Sequence, residues 1–130
     1  MTLIRSYRDL TVWNKGMDLV VSSYQLAKNL PRSEEYGLAS QIRRAAVSVP
    51  ANIAEGSGRL HRAEFRQHVS ISRGSLLELE TLLLITVRLG YLSEALCADC
   101  IRLIAEISRM LTMLLRALGQ PPKGSRAPRR

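Results

Sequence analysis

Apolar residues recur along most of this chain at steps of three and four, the period of helices packed on one face. From about Asp9 to Asn29, the residues Trp13, Met17, Val20, Tyr24 and Ala27 fall at spacings of 4, 3, 4 and 3, predicting a first helix that Pro31 closes. Ser33, followed by Glu34 and Glu35, reads as an N-cap with negative charge in the first turn, where the helix dipole favours it. A second helix is therefore predicted from there to about Glu55. Leu38, Ile42, Ala45, Val49 and Ile53 keep one register across Pro50. An interior proline removes a ladder bond and costs about 3 kcal/mol, but a break would reset the register, so one helix kinked at Pro50 is expected. Ala39, Ser40, Ala46, Ser48, Ala51 and Ala54 surround the stripe with small side chains, which should make this the most buried helix.

Gly56-Ser57-Gly58 is expected to end the second helix, and a third should run from about His61 to Leu89, where Gly90 stops it. Its first half is charged (Arg62, Glu64, Arg66). Farther on, Leu76, Leu77, Leu79, Leu82, Leu83, Leu84, Ile85, Val87 and Leu89 point in every direction. A helix apolar all round is buried all round, which in so small a bundle implies a second buried surface between subunits. A fourth helix opens at Ser93 and runs to about Leu118, with Gly119 as its stop. It carries two apolar stripes: Leu96, Cys100, Leu103, Ile107, Met110 and Leu114, and beside them Cys97, Ile101, Ile104, Leu111 and Leu115. Together they exceed one seam. Residues 120–130 have no apolar period and are expected to be disordered. The chain thus reads as all-α, a four-helix bundle over residues 1–119 followed by a tail, without internal repeats.

Composition adds a partner class. With 46% hydrophobic residues, 130 residues can bury one core without metal or disulfide staples. Nineteen Lys and Arg against eleven Asp and Glu give a net charge of +8, which favours a polyanionic partner. Lys123, Arg126, Arg129 and Arg130 in the tail carry half of that excess. The first residues lack the apolar core of a signal peptide, and the longest apolar run, Leu82 to Ile85, is far short of the roughly 20 residues that span a membrane. A cytoplasmic location, no membrane binding, and reduced Cys97 and Cys100 are the corresponding expectations.

Little in the sequence resembles reaction chemistry. Cys97-Ala-Asp-Cys100 has C-x-x-C spacing, but both cysteines occupy apolar-stripe positions, and His61 and His68 lie on another helix. They read as core residues. No hydrolase, phosphate-loop or metalloprotease signature occurs, and Glu78 and Glu80, two apart on a helix, do not face each other. No enzymatic activity, metal or cofactor is expected. Gln41, Arg44, Ser48, Asn52 and Glu55 form a polar stripe on the second helix, read as a hydrogen-bonded network between helices or subunits, with ligand binding as the alternative.

Two basic stripes are the candidate nucleic-acid contacts. Arg62, Arg66 and Arg73, with Arg59 just before them, share a face of the third helix. On the fourth, Arg102, Arg109 and Arg116 repeat every seven residues, with Asp99 and Glu106 placed to neutralise them in part. The basic tail residues join this set. Few aromatic residues accompany the stripes, so binding should be phosphate-directed and salt-sensitive.

Three segments resemble the four-helix-bundle family of 23S rRNA intervening-sequence proteins, which includes relatives of the accessory variability protein of diversity-generating retroelements. They are Tyr7 to Trp13, Gln41 to Gly56 and, in the third helix, Glu64-Phe65 through Glu80. The resemblance implies an up-and-down bundle assembled into a ring, commonly a pentamer, with a basic surface and no catalytic residues. The leading expectation is a homo-oligomeric scaffold binding nucleic acid, structured RNA ahead of DNA. The alternative is an adaptor for an enzyme such as a retroelement reverse transcriptase.

Overall fold

The computed structural model describes residues 6–119, and the expected disordered tail lies outside them. Four helices make up the described chain: α1 (Thr11–Ala27), α2 (Leu38–Ser57), α3 (Arg62–Arg88) and α4 (Glu94–Gly119), with no strand among the described residues. Each packs on its sequence neighbour and α4 closes back on α1, while the diagonal helices face each other only across the shared core. Short connections and this pattern define an up-and-down four-helix bundle. Leu19, Ile42, Val49, Ile53, Val69, Leu79, Leu83, Ile107 and Leu111 are fully buried at its centre.

The first helix corrects the expected stripe. Its buried residues are Val12, Gly16, Leu19, Ser23 and Leu26, with Ala27. Met17 and Tyr24 face outward, whereas Trp13 and Val20 lie partly buried at the margin of the core. The seam actually used contains Gly16 and Ser23, which no count of apolar residues rewards: Gly16 lets α1 approach α2 closely, and Ser23 meets Cys100 of α4. A Cβ at Gly16 would come within 3.2 Å of Pro50 Cβ. The helix also starts at Thr11 rather than Asp9. Ser6 accepts from the Arg8 amide while Asp9 accepts from the Ser6 amide, and this reciprocal cap closes a separate 3-10 turn, Tyr7–Asp9.

α2 runs unbroken through Pro50, as the register predicted, and eight of its twenty residues are buried. Its start differs from expectation. Ser33 lies in a 3-10 turn, Arg32–Glu34, Gly37 holds the cap position, and the Glu34 carboxylate accepts the Leu38 amide at 3.2 Å. Negative charge does cap the helix, but from four residues upstream. The Gly56-Ser57-Gly58 segment does end the helix, at Ser57 with Gly58 as the C-cap in right-handed conformation, while Gly56 itself is buried inside the helix where α3 crosses. Gly90 does end its helix as expected, with φ of 78°, and the Tyr91 amide reaches back to the Thr86 carbonyl at 2.9 Å.

α3 is not buried all round within one chain. Leu76, Leu79, Leu82 and Leu83 enter the core, while Leu77 and Leu84 remain 53% and 52% exposed. Ser93 caps α4 by accepting the Leu96 amide. The core seam of α4 takes Cys97, Cys100, Ile104, Ile107 and Leu111 from both predicted stripes, and Leu96 is left exposed. Gly74 lies mid-helix in α3 with open space where a Cβ would sit. Gly74→Ala should therefore raise stability by about 0.5–1 kcal/mol through reduced chain entropy, read as a higher Tm.

Candidate nucleic-acid interface

Because α3 and α4 run antiparallel, the start of one meets the end of the other, and two arginine stripes that look separate in sequence converge there. The Arg62 guanidinium donates to the Ala117 carbonyl at 2.6 Å. This satisfies an acceptor that the last helical turn leaves free and places positive charge at the negative end of the α4 dipole. Arg66, one turn along, lies against Gly119, where a Cβ would stand 3.3 Å from its Nε. Arg116 projects, exposed, from the same last turn of α4.

Arg59 sits just before this end and is held by Glu55 at 2.8 Å in a half-exposed ion pair. Arg8 belongs to the same pole, a residue the sequence stripes do not include. Its turn packs beside a cleft formed by Tyr7, Leu10, Ser57, Gly58, Phe65 and Leu114, and its guanidinium lies 5.9 Å from the Tyr7 ring. Lys123, Arg126, Arg129 and Arg130 lie outside the described residues; the chain leaves Gly119 at this pole.

Along α4, the expected neutralisation is only half present. Asp99 pairs with Arg102. Glu106 turns instead to Lys15 of α1 at 2.9 Å, which leaves Arg109 without an ion pair among the described residues. Arg66, Arg73, Arg109 and Arg116 are all exposed and make no ion pair among the described residues. They are thus solvent-facing positive charges available to an anionic partner.

The polar stripe of α2 divides in two. Ser48 and Asn52 join the expected network: Asn52 Nδ2 donates to the Ser48 carbonyl and hydroxyl at 2.8 and 3.0 Å, and Asn52 Oδ1 accepts from His68 Nδ1 at 3.1 Å. Ser75 donates to the Ser48 hydroxyl at 2.8 Å, and Ser72 to the Val49 carbonyl at 2.9 Å, tying α3 to α2. Asn52→Ala should cost about 1–2 kcal/mol by unpairing His68 and Ser48, visible as a lower Tm; normal melting with lost RNA binding would contradict this structural role. The side chains of Gln41 and Arg44, by contrast, make no hydrogen bond or ion pair among the described residues and line an open groove.

The two cysteines pack in the core. Burial pushes both thiols above their ordinary pKa; at Cys97 the neighbouring Cys100 adds to this, and at Cys100 Ser22 and Ser23 oppose it. A thiol whose pKa is raised on folding contributes stability below the unfolded value, and that contribution is lost as pH rises through the folded one. Stability should consequently fall above about pH 8.5, and a variant with both cysteines replaced by alanine should show a flatter alkaline limb in thermal melts.

An apolar groove of about 220 Å³ runs between α3 and α4, lined by Leu83, Leu84, Val87, Cys97, Ala98 and Ile101, with Glu94 at its edge. No cluster of His, Cys, Asp and Glu able to hold a metal occurs among the described residues. No described helix is long and apolar enough to cross a membrane.

The chain is similar to a solved protein of unknown function from the S23 ribosomal protein family of Bacteroides thetaiotaomicron. The identity is 25%, with 82% of this chain and 99% of that one covered and a TM-score of 0.76. No curated protein matches it. A family model described as 23S rRNA-intervening sequence protein matches residues 8–113, covering α1 to α3 and most of α4 but not its last turns with Arg116. The chain therefore belongs to the 23S rRNA-intervening sequence protein family.

Proposed function

We propose that this protein is a non-enzymatic, cytoplasmic scaffold that assembles as a homo-oligomer and binds structured RNA through phosphate contacts. The observation that carries the reading is the set of exposed arginines without an ion pair among the described residues (Arg66, Arg73, Arg109 and Arg116), on the two helices whose ends meet at the basic pole. Arginine's planar fork can donate two hydrogen bonds to one phosphate, and copies in a ring would multiply a modest patch by avidity. Exposed Leu77, Leu84 and Leu96 on α3 and α4, with Leu84 lining the groove between these helices, supply apolar surface for contact between copies, with a pentamer as the expected ring. The buried cysteines, with thiols held protonated, fit a protein that does no nucleophilic chemistry.

Light scattering with and without a structured RNA tests both parts. A stable oligomer that gains mass with RNA is expected, and absence of RNA retention at low salt would overturn the reading. The same apolar groove favours a second reading, an adaptor for an enzyme such as a retroelement reverse transcriptase, as for relatives of the accessory variability protein. A monomer that ignores RNA but captures that enzyme would establish the adaptor instead.

A further inference from the structure

We propose that the groove between α2 and α3 holds one unpaired nucleotide of the bound RNA, its phosphate on Arg44, its amino-bearing base edge on Glu78 and its face on Tyr36. The inference rests on the nucleic-acid reading above and adds a second, chemically distinct contact to it.

The groove is open and about 570 Å³ in volume, within the range that accommodates small ligands. Ser48 and Ser75 form part of its lining, fixed by their 2.8 Å hydrogen bond to each other and by Asn52, which donates to Ser48 at 3.0 Å. Gln41, Arg44 and Glu78 also line it, exposed, and their side chains make no hydrogen bond or ion pair with the rest of the described chain. Arg44 and Glu78 share the groove without joining each other, so a guanidinium and a carboxylate both remain available across one space. Inorganic phosphate alone would satisfy the first and be repelled by the second. A nucleotide satisfies both: the guanidinium binds phosphate, and a carboxylate accepts from the exocyclic amine of cytosine or adenine. Tyr36, at the rim, is 96% exposed and offers an unobstructed ring face, the platform on which splayed-out bases of single-stranded RNA stack.

The location suits a folded RNA. Arg44 and Ser57 are thirteen residues apart on α2, so the groove lies about 20 Å along the helix from the basic pole. A paired stem could lie on the pole while a loop or bulge reaches the groove. Uridine has no exocyclic amine, which makes the proposal specific.

The test uses the full chain and three RNAs sharing one stem: a hairpin with a loop of adenosine and cytidine, the same hairpin with a uridine loop, and a blunt duplex. The wild type should prefer the first hairpin over the second by about tenfold or more. Arg44→Gln, Glu78→Ala and Tyr36→Ala, each checked for an unchanged melting profile, should bring that ratio towards one. Equal retention of both hairpins by the wild type, or a ratio that survives all three substitutions, would overturn the groove assignment while leaving the scaffold reading in place. Failure to retain any of the three, duplex included, overturns the scaffold reading and the groove with it. Loss of oligomer mass in Arg44→Gln would assign the groove to contact between copies and equally overturn the proposal.

Discussion

Gly56→Ala should lower Tm by roughly 5–15 °C, corresponding to about 1–3 kcal/mol of overpacking. A Cβ at this position would stand 2.6 Å from His68 Cβ and 3.0 Å from Phe65 Cδ1. The first of these atoms is bonded directly to the α3 backbone, so no rotamer change can move it aside; α2 and α3 would have to separate. Separation would also stretch the contacts that join these helices on the same flank, Asn52 to His68 and Ser75 to Ser48. The gain in helix propensity on replacing glycine is only about 1 kcal/mol, which the clash exceeds. Gly74→Ala is the matched control, since it offers the same propensity gain with nothing to strike. Opposite shifts in the two variants would show that Gly56 is required for close helix approach; a neutral Gly56→Ala would show that the α2–α3 crossing is looser than its contacts indicate.

The second large effect concerns RNA. Replacing Arg66, Arg73, Arg109 and Arg116 together by glutamine lowers the net charge from +8 to +4. Each lost phosphate contact should reduce the slope of log affinity against log salt by about 0.9, so four contacts amount to a change of about three to four. Across 50 to 200 mM salt that slope corresponds to roughly a hundredfold in affinity, and the variant should lose most of its binding at the low-salt end. Exposed substitutions of this kind usually change stability by less than about 0.5 kcal/mol, so an unchanged Tm separates lost contacts from lost fold. Arg102→Gln provides the contrast. Its partner Asp99 would be released as a free negative charge, so the gain or loss is not that of a simple phosphate contact and the slope should fall by less than one arginine's share. An unchanged slope in the fourfold variant would remove these arginines from the interface and leave the basic residues beyond Gly119 as the test's next subject.

How far the sequence carried the fold depends on what each residue had to signal. Pro50 was readable as internal because Leu38, Ile42, Ala45, Val49 and Ile53 hold register across it, and all but Leu38 are buried in the finished helix. Ser93 and Gly90 were readable because their roles are local: one hydroxyl accepts an amide three residues on, and one residue adopts a left-handed conformation. Ser33 misled because it falls in a separate 3-10 turn, and it is the longer Glu34 side chain that reaches the Leu38 amide where α2 starts. The stripe of α1 misled because packing selected the smaller residues of the helix, Gly16 and Ser23, over larger apolar ones such as Met17.

The candidate site divides along the same line. Periodicity and charge, which are properties of single helices and of the whole chain, determined the helix count, the positions of most helix ends, the basic character and the stripes of arginine at helical spacing. Tertiary structure decided which arginines are free. Glu106 could be placed near Arg109 by counting residues, yet it pairs with Lys15, because α1 packs alongside and offers a cation on the same flank. Arg62 and Arg66 meet the end of α4 only because the chain doubles back, and Tyr36, Arg44 and Glu78 share one groove only because α2 and α3 lie side by side. Local steric preference and amphipathic period act within about one turn of helix, whereas the pairing of charges depends on distances between segments that the order of residues does not contain.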